Sequence, residues 1–419
     1  MKTTKYYIST DIGDFKIYYN LINGTLLQIS HNDDVSFLEC ILNPNNKHHE
    51  FWKTLYDNQF IIDDDYNELK EIRFRHWQAV YNNTDILEIT VVCTLKCNTE
   101  CLYCYQKNLG ITYYEMDGLD YEGLYEYLIG VPQKQININW YGGEPLLHQR
   151  QILDFCSKLH MDSKHDYSYS ISTNATIYNE NFFRQMKRYG LTNIDTTIVE
   201  IDSVNSHLRR TPNCPVENII GNIVNIARYV NVVVSINLCR TNIMKAETIL
   251  EYFLKFSDLP IYFTFTRIVS YNNNPCKDIE LDIDTYMKQV VQLSNWALDN
   301  NLKICDMSCF QSDGIYCGAY ACNNFTIGPK LYVYRCEHFF EPSNSYAQII
   351  HGQMIYKSNM KQKGCIDPYN EKKCIECRIL PYCNGGCEYL RNKGEYFCPV
   401  ESEYLEEYLR IYCKKYYTE

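Results

Sequence analysis

The sequence predicts an α/β fold of the barrel type, built from six strand–helix units. Six apolar, β-branched segments recur near residues 86–93, 136–140, 167–173, 194–201, 231–238 and 261–268. Segments with helical periodicity lie between them, at 147–160, 180–189, 216–229, 245–257 and 284–300. Such alternation implies parallel strands joined by helical crossovers. In β/α barrels chemistry collects at the C-terminal ends of strands, and Cys97, Glu144 and Asn174 each fall just after one. Residues 1–85 stand outside the pattern: YYIST, FKIYY and TLLQI read as strands, with the turn signal Asn23-Gly24 before the third, and 49–57 and 65–80 are mixed helical stretches. Residues 306–419 are dense in cysteine and end in an amphipathic helix carrying Tyr404, Leu405, Tyr408, Leu409 and Tyr412. The expected organisation is an N-terminal module (1–85), a barrel (86–305) and a cysteine-rich C-terminal domain (306–419).

Composition narrows the class. A chain of 419 residues that is 46% hydrophobic has ample core for two or three domains. A net charge of −11 argues against broad nucleic-acid binding, which needs a basic footprint. No apolar run approaches the length of a membrane span. Twenty-one cysteines in a long chain without a signal peptide fit a reducing cytoplasm better than a disulfide scaffold. The 39 tyrosines reflect coding bias and carry no functional reading.

Cys97, Cys101 and Cys104 crowd the loop after the strand ILEITVVC, in the stretch CNTECLYC. Three thiolates can hold three irons of a cubane and leave the fourth open to a small chelating molecule, whereas iron–sulfur clusters normally take four. Three buried thiols or a zinc knuckle are the competing readings. Downstream, Trp140-Tyr141-Gly142-Gly143-Glu144-Pro145 follows the strand ININ. Its glycines allow close backbone approach to a ligand, and a carboxylate is a natural partner for an ammonium group. Ser172-Thr173-Asn174 ends the strand YSYSIS, and His207, Arg209 and Arg210 follow the strand IDTTIVEI. Helix capping and a solvated basic face are the ordinary alternatives there.

In this order the segments resemble those of the radical S-adenosylmethionine (radical SAM) enzymes. The resemblance implies a partial (β/α)6 TIM-like barrel, a [4Fe–4S] cluster on Cys97, Cys101 and Cys104, and S-adenosylmethionine chelated to its open iron. It further implies cofactor contacts from Tyr103, from Gly142, Gly143, Glu144 and Pro145, from Ser172 and Asn174, and from Arg209 and Arg210. Ala175 stands where the family usually has glycine after the asparagine, and Val199-Glu200 replaces the usual Asp-Gly.

Eight further cysteines lie near the C-terminus. Cys374, Cys377, Cys383 and Cys387 are followed by Cys398 and preceded by Cys317, Cys322 and Cys336. The pattern resembles the SPASM extension of radical SAM peptide and protein maturases. By position, one auxiliary [4Fe–4S] cluster would take Cys317, Cys322, Cys336 and Cys387, and another Cys374, Cys377, Cys383 and Cys398, making three clusters in all. Two zinc sites are the alternative. The family places glycine in a Pro-Asp-Gly turn five residues before the cysteine equivalent to Cys336, whereas this chain reads Pro329-Lys330-Leu331. The other ten cysteines show no ligand spacing and read as small buried hydrophobes.

The resemblance implies reductive cleavage of S-adenosylmethionine to methionine and a 5′-deoxyadenosyl radical, which abstracts hydrogen from an unreactive C–H bond; the auxiliary clusters would accept an electron from the substrate radical. Flavodoxin or ferredoxin is the expected reductant. Glu337, directly after Cys336, sits where sulfatase-maturing relatives have an aspartate proposed as a base, and an ordinary surface carboxylate is the competing reading. The leading functional expectation is maturation of a ribosomally made precursor peptide by a thioether or carbon–carbon crosslink, with residues 1–85 either capturing its leader or merely capping the barrel. Formylglycine formation by a sulfatase-maturing enzyme is the enzymatic alternative. A non-catalytic iron–sulfur electron carrier is a third, and it leaves the Gly-Gly-Glu-Pro segment without a task.

Overall fold

The computed structural model describes residues 1–81, 85–108, 115–202, 206–211, 213–270, 276–305, 317–357, 368–392, 398 and 402–417. The chain forms two compact units: Met1–Asn82 with Asp306–Ala321 and Gln362–Glu419, and Asn83–Cys305 with Cys322–Lys361. This grouping cuts across the three sequence segments, joining both chain ends in one unit and giving residues 322–361 to the barrel.

In the first unit, β1 (Tyr7–Ile12), β2 (Phe15–Asn20) and β3 (Leu26–Ser30) form an antiparallel sheet in that order. Gly24, at φ +74°, makes the turn between β2 and β3. Helices His31–Leu42, Trp52–Asp57 and Glu68–Tyr81 follow. Tyr18, Phe37, Cys40, Ile41, Leu55 and Phe60 make the small core beneath the sheet. The C-terminal helix Leu405–Tyr417 packs on β1.

The second unit is organised around one eleven-stranded sheet. Its strands are β4 (Ile86–Thr94), β5 (Gln135–Gly142), β6 (Asp166–Ser172), β7 (Leu191–Ile198), β8 (Asn231–Leu238), β9 (Ile261–Arg267) and β10 (Lys303–Ile304), then β11 (Asn324–Ile327), β12 (Tyr332–Tyr334), β13 (Ala347–Ile350) and β14 (Gln353–Tyr356). β4 to β10 lie side by side in chain order and all pair in parallel, as expected of a β/α barrel. β11 adds to the far edge of β4, also in parallel, and β12 to β14 continue as an antiparallel meander. All six strands expected from the sequence are present.

Outward faces of the strands bury apolar side chains under helices. Ile152, Phe155, Cys156 and Leu159 line one face of the helix Gln149–Leu159 at the i, i+3, i+4, i+7 spacing, and Phe155 meets buried Trp140 edge to face at 5.6 Å. Helix ends follow local chemistry: Asp117 and Asp120 form a capping box for Gly118–Gly130, and Gly190 ends Glu180–Tyr189 at φ +111°. The inward faces are polar. Glu88, Asn137, Asn139, Ser168, Ser170 and Ser172 form hydrogen bonds across β4, β5 and β6, leaving a hydrophilic lumen below the strand ends.

Candidate active site

The loop after β4 is held by the loop after β5. Gly143 N donates to Thr94 O (2.7 Å) and Glu144 N to Lys96 O (2.8 Å). A Cβ on Gly142, whose φ is +141°, would lie 2.1 Å from Thr94 O, and one on Gly143 would lie 2.2 Å from Lys96 O. Only glycine permits this approach, and it aligns the cysteine loop over the barrel mouth. Within that loop the Thr99 hydroxyl lies 3.1 Å from Cys97 Sγ and 3.8 Å from Cys101 Sγ. Residues Arg209 and Arg210 pair in antiparallel fashion with Cys101 and Glu100, and Leu102 N donates to Leu208 O at 2.8 Å. Burial raises the Cys104 thiol, and the neighbouring Cys101 and Cys97 add to the effect. Three thiols on one short loop, two of them felt electrostatically at the third, Cys104, suit a multinuclear iron site that takes them as thiolates.

Glu144 is fully buried and its carboxylate points inward. It accepts hydrogen bonds from Leu146 N (2.9 Å), Thr173 Oγ1 (2.7 Å) and Asn174 N (2.7 Å). Burial pushes its carboxyl up, against the pull of these donors. Glu144 therefore ties the strand ends of β5 and β6 together. Asn174 Nδ2 donates to Asn98 Oδ1 at 2.7 Å and lies 3.8 Å from Cys97 Sγ. Ala175 adopts φ +56°, the left-handed conformation for which glycine is the usual choice.

The two arginines separate. Arg209 is 6% exposed; its guanidinium donates to Thr197 O and, at 2.8 Å, to Asn174 O, while its Nε has no partner among the described residues. A buried, unpartnered guanidinium N–H suits an anionic group such as the carboxylate of S-adenosylmethionine. Arg210 is exposed and faces Glu100 at 3.6 Å. Tyr103 packs against Val199, Leu208, Cys239, Ile268 and Cys276, with its phenol raised by burial and by Cys101. Ser172 Oγ turns to the lumen and donates to Asn139 Oδ1 at 3.3 Å.

Glu337 belongs to a second cluster of side chains that also touches the cysteine loop. Cys336 Sγ accepts from His338 N at 3.4 Å and lies 3.5 Å from His338 Nδ1, which is 3.8 Å from Glu337 Oε1. The His338 ring stacks on Tyr105 at 4.1 Å, and Tyr105 OH donates to Tyr141 OH at 3.0 Å. Residues adjoining Cys104 and Cys336 are thus in direct contact. Sequence reading did not single out Thr99, Tyr105 and His338, and it quoted Tyr141 and Thr173 only as members of their segments. Tyr105 and His338 could have been flagged by their positions close to candidate ligands, and Tyr141 and Thr173 by the motifs they belong to.

The remaining cysteine set lies within the first unit. Burial raises the thiols of Cys377 and Cys383, the latter to about 12, and Cys374 and Cys398 contribute to both shifts. Arg391, 4% exposed, holds Nη1 3.6 Å from Cys374 Sγ. Cys317 and Cys387 belong to the first unit and Cys322 and Cys336 to the second. Of the ten other cysteines, Cys40, Cys93, Cys156, Cys239, Cys276 and Cys413 are buried and Cys214 and Cys305 half-buried; Cys309 and Cys365 lie outside the described residues.

Residues 91–253 match the radical SAM superfamily. Those residues form a radical SAM domain on a TIM-like α/β fold. The chain is 21% identical over 377 residues to the radical SAM cyclopropyl synthase TigE of Paramaledivibacter caminithermalis, covering 82% of this chain and 77% of the relative. Among solved structures it resembles anSMEcpe with bound AdoMet and Cp18Cys peptide (TM-score 0.60, 16% identity, 78% of this chain and 96% of that one). It also resembles Streptococcus suis SuiB bound to S-adenosylmethionine (TM-score 0.56, 13% identity, 96% and 99%). SuiB bound to its precursor peptide SuiA gives a TM-score of 0.52 at 12% identity, covering 94% and 97%. No helix among the described residues is long and apolar enough to cross a membrane.

Proposed function

We propose that this enzyme matures a ribosomally made precursor peptide, abstracting hydrogen from it and installing a thioether or carbon–carbon crosslink. The observation that carries the reading is the folded N-terminal module: likeness to SuiB, a protein solved with its precursor peptide, extends over 96% of the chain, whereas likeness to anSMEcpe extends over 78%. Likeness to TigE, a radical SAM cyclopropyl synthase, supports carbon–carbon bond formation.

The cluster on Cys97, Cys101 and Cys104, with S-adenosylmethionine, supplies a 5′-deoxyadenosyl radical when bound. The chain's own residues orient the reactants. Backbone around Gly142 and Gly143 receives the methionine ammonium, Glu144 fixes that backbone, Arg209 faces the carboxylate, and Tyr103, Pro145, Ser172 and Asn174 shape the adenosine side. Arg210, paired with Glu100, would hold the cofactor from the same segment as Arg209. Glu337 accepts a substrate proton after hydrogen abstraction, and the hydrophilic lumen admits a polar peptide. In the N-terminal module β3 presents its outer edge, on which no strand pairs among the described residues; an extended leader adds there as a further strand. Two auxiliary clusters on the assigned cysteines complete a set of three, and a flavodoxin or ferredoxin delivers electrons in the cytoplasm.

A second reading, formylglycine formation in a sulfatase, is favoured by Glu337 and by the anSMEcpe likeness. The experiment is anaerobic reconstitution with either a short leader-bearing precursor peptide, sought as an open reading frame beside this gene, or a sulfatase-derived peptide. Loss of two hydrogens from the former, abolished in a triple Cys97→Ala, Cys101→Ala, Cys104→Ala variant that also lacks about four irons, supports the proposal. Conversion of the sulfatase peptide alone, or zinc in place of iron, refutes it.

A further inference from the structure

The N-terminal strands and the downstream cysteines share one compact unit, and polar contacts join them at one place. Lys5 Nζ donates to Ile375 O at 2.7 Å, and Arg378 Nη2 donates to Tyr7 O at 2.6 Å. Ile375 and Arg378 flank Cys377, and the residue between Lys5 and Tyr7 is Tyr6.

Tyr6 is fully buried, with Lys5 Nζ 4.7 Å from its ring centroid. Its hydroxyl has no hydrogen-bond partner among the described residues. A buried hydroxyl left unpaired costs about 1–3 kcal/mol, and such groups are rare in folded proteins. The position therefore calls for an acceptor that the polypeptide does not supply. Glu68 and the Cys377 thiol both act electrostatically on the phenol. Cluster sulfurs accept hydrogen bonds of this kind and their potentials respond to them.

We propose that the Tyr6 hydroxyl donates to a sulfur of the cluster held by Cys374, Cys377, Cys383 and Cys398, and thereby staples the N-terminal module to that cluster. This rests on the reading of those four cysteines as cluster ligands. Tyr6 leads directly into β1, so the bond anchors the strand on which the rest of the small sheet is built. It also stabilises the more negatively charged reduced cluster and raises its potential. Recognition module and auxiliary cluster are then one folding unit, and removing the first damages the second.

The test uses the full chain, reconstituted anaerobically. Tyr6→Phe should keep the wild-type iron content, shift to more negative potential the electron paramagnetic resonance signal that disappears in a Cys377→Ala, Cys383→Ala variant, and speed deuterium exchange in residues 4–20 about fivefold. Helix Gln149–Leu159, in the other unit, should exchange as before. Wild-type potential and wild-type exchange in Tyr6→Phe would overturn the staple. The double cysteine variant separates the two ideas. If it loses about four irons and loosens residues 4–20, both stand; if it loses them with residues 4–20 unchanged, only the staple falls; if it keeps all its iron, the ligand reading falls and the staple with it.

Discussion

Gly142→Ala is the sharpest probe of the geometry that joins the two loops at the barrel mouth. The added Cβ would meet Thr94 O at 2.1 Å, against backbone rather than a side chain that can rotate away, at a φ of +141°. Relief requires the Thr94 carbonyl to retreat by about 1.3 Å or more, the shortfall of 2.1 Å from an ordinary contact of 3.4 Å, and overpacking of this kind costs about 1–3 kcal/mol. The unfavourable backbone region adds about 1–2 kcal/mol. The retreat also breaks the 2.7 Å hydrogen bond from Gly143 N to Thr94 O, so the strain falls on the segment that carries the cysteines. The expected result is loss of S-adenosylmethionine affinity by about a hundredfold, equivalent to about 2.7 kcal/mol, measured by equilibrium dialysis under anaerobic conditions. Gly221→Ala is the matched control: its Cβ meets nothing within 4 Å, it lies in the helix Val216–Ile226, and it should bind normally and melt slightly higher. Binding by Gly142→Ala within about threefold of wild type, with clusters intact, would show that close approach of the loops is not what builds the cofactor site.

Glu337→Gln is expected to form 5′-deoxyadenosine at close to the wild-type rate while losing modified peptide; wild-type product yield would assign the carboxylate a peripheral role. Gln28→Pro should weaken precursor binding by about tenfold or more without changing iron content. Asn20 and Thr25 are a hydrogen-bonded pair, so by alternation the Gln28 amide points away from β2, and proline removes a docking donor while leaving the hairpin ladder whole; unchanged peptide affinity, by fluorescence anisotropy, would locate the leader elsewhere. Asp162→Asn should cost about 2–3 kcal/mol near neutral pH, because it breaks the buried contact with His165 (2.5 Å) and the bond from Tyr167 (2.9 Å). Burial alone would raise the Asp162 carboxyl, but those donors and the Lys164 amide outweigh it and the net shift is down. Its contribution is thus present above the ordinary carboxylate pKa and lost as pH falls through the lowered one, so melts of variant and wild type should converge in acid; a gap that stays constant would mean the network is not ionic.

What could be read in advance was local. Strand positions, the triple-cysteine loop and the Gly-Gly-Glu-Pro turn are written in periodicity and spacing within short windows, and all appear where the sequence placed them. Partnerships across the chain could not be read. Nothing in NFTI announces that Asn324–Ile327 will lie against Ile86–Thr94, because any apolar strand edge is an acceptable neighbour until the others are taken. The sequence shows the Glu144 carboxylate but not Thr173 and Asn174, which donate to it from the end of the next strand.

The turn before Cys336 makes the same point through its compensation. Leu331, standing where the family has glycine, takes φ +56°, and Lys330 beside it takes +59°. Each left-handed residue costs about 1–2 kcal/mol, and the sequence offers no local relief. The structure supplies it from elsewhere. Lys330 Nζ reaches Asp117 at 2.7 Å, Gln348 Nε2 donates to Lys330 O at 2.9 Å, and Leu331 is 7% exposed in space open only because Gly123 has no side chain. A Cβ there would stand 2.7 Å from Leu331 Cδ1. Gly123, on the facing helix Gly118–Gly130, leaves Leu331 the room to hold this conformation in the turn ahead of Cys336. Gly123→Ala should therefore force Leu331 to repack in the turn ahead of β12 and Cys336, lowering stability by about 1–3 kcal/mol; an unchanged melting temperature would show that the leucine yields freely.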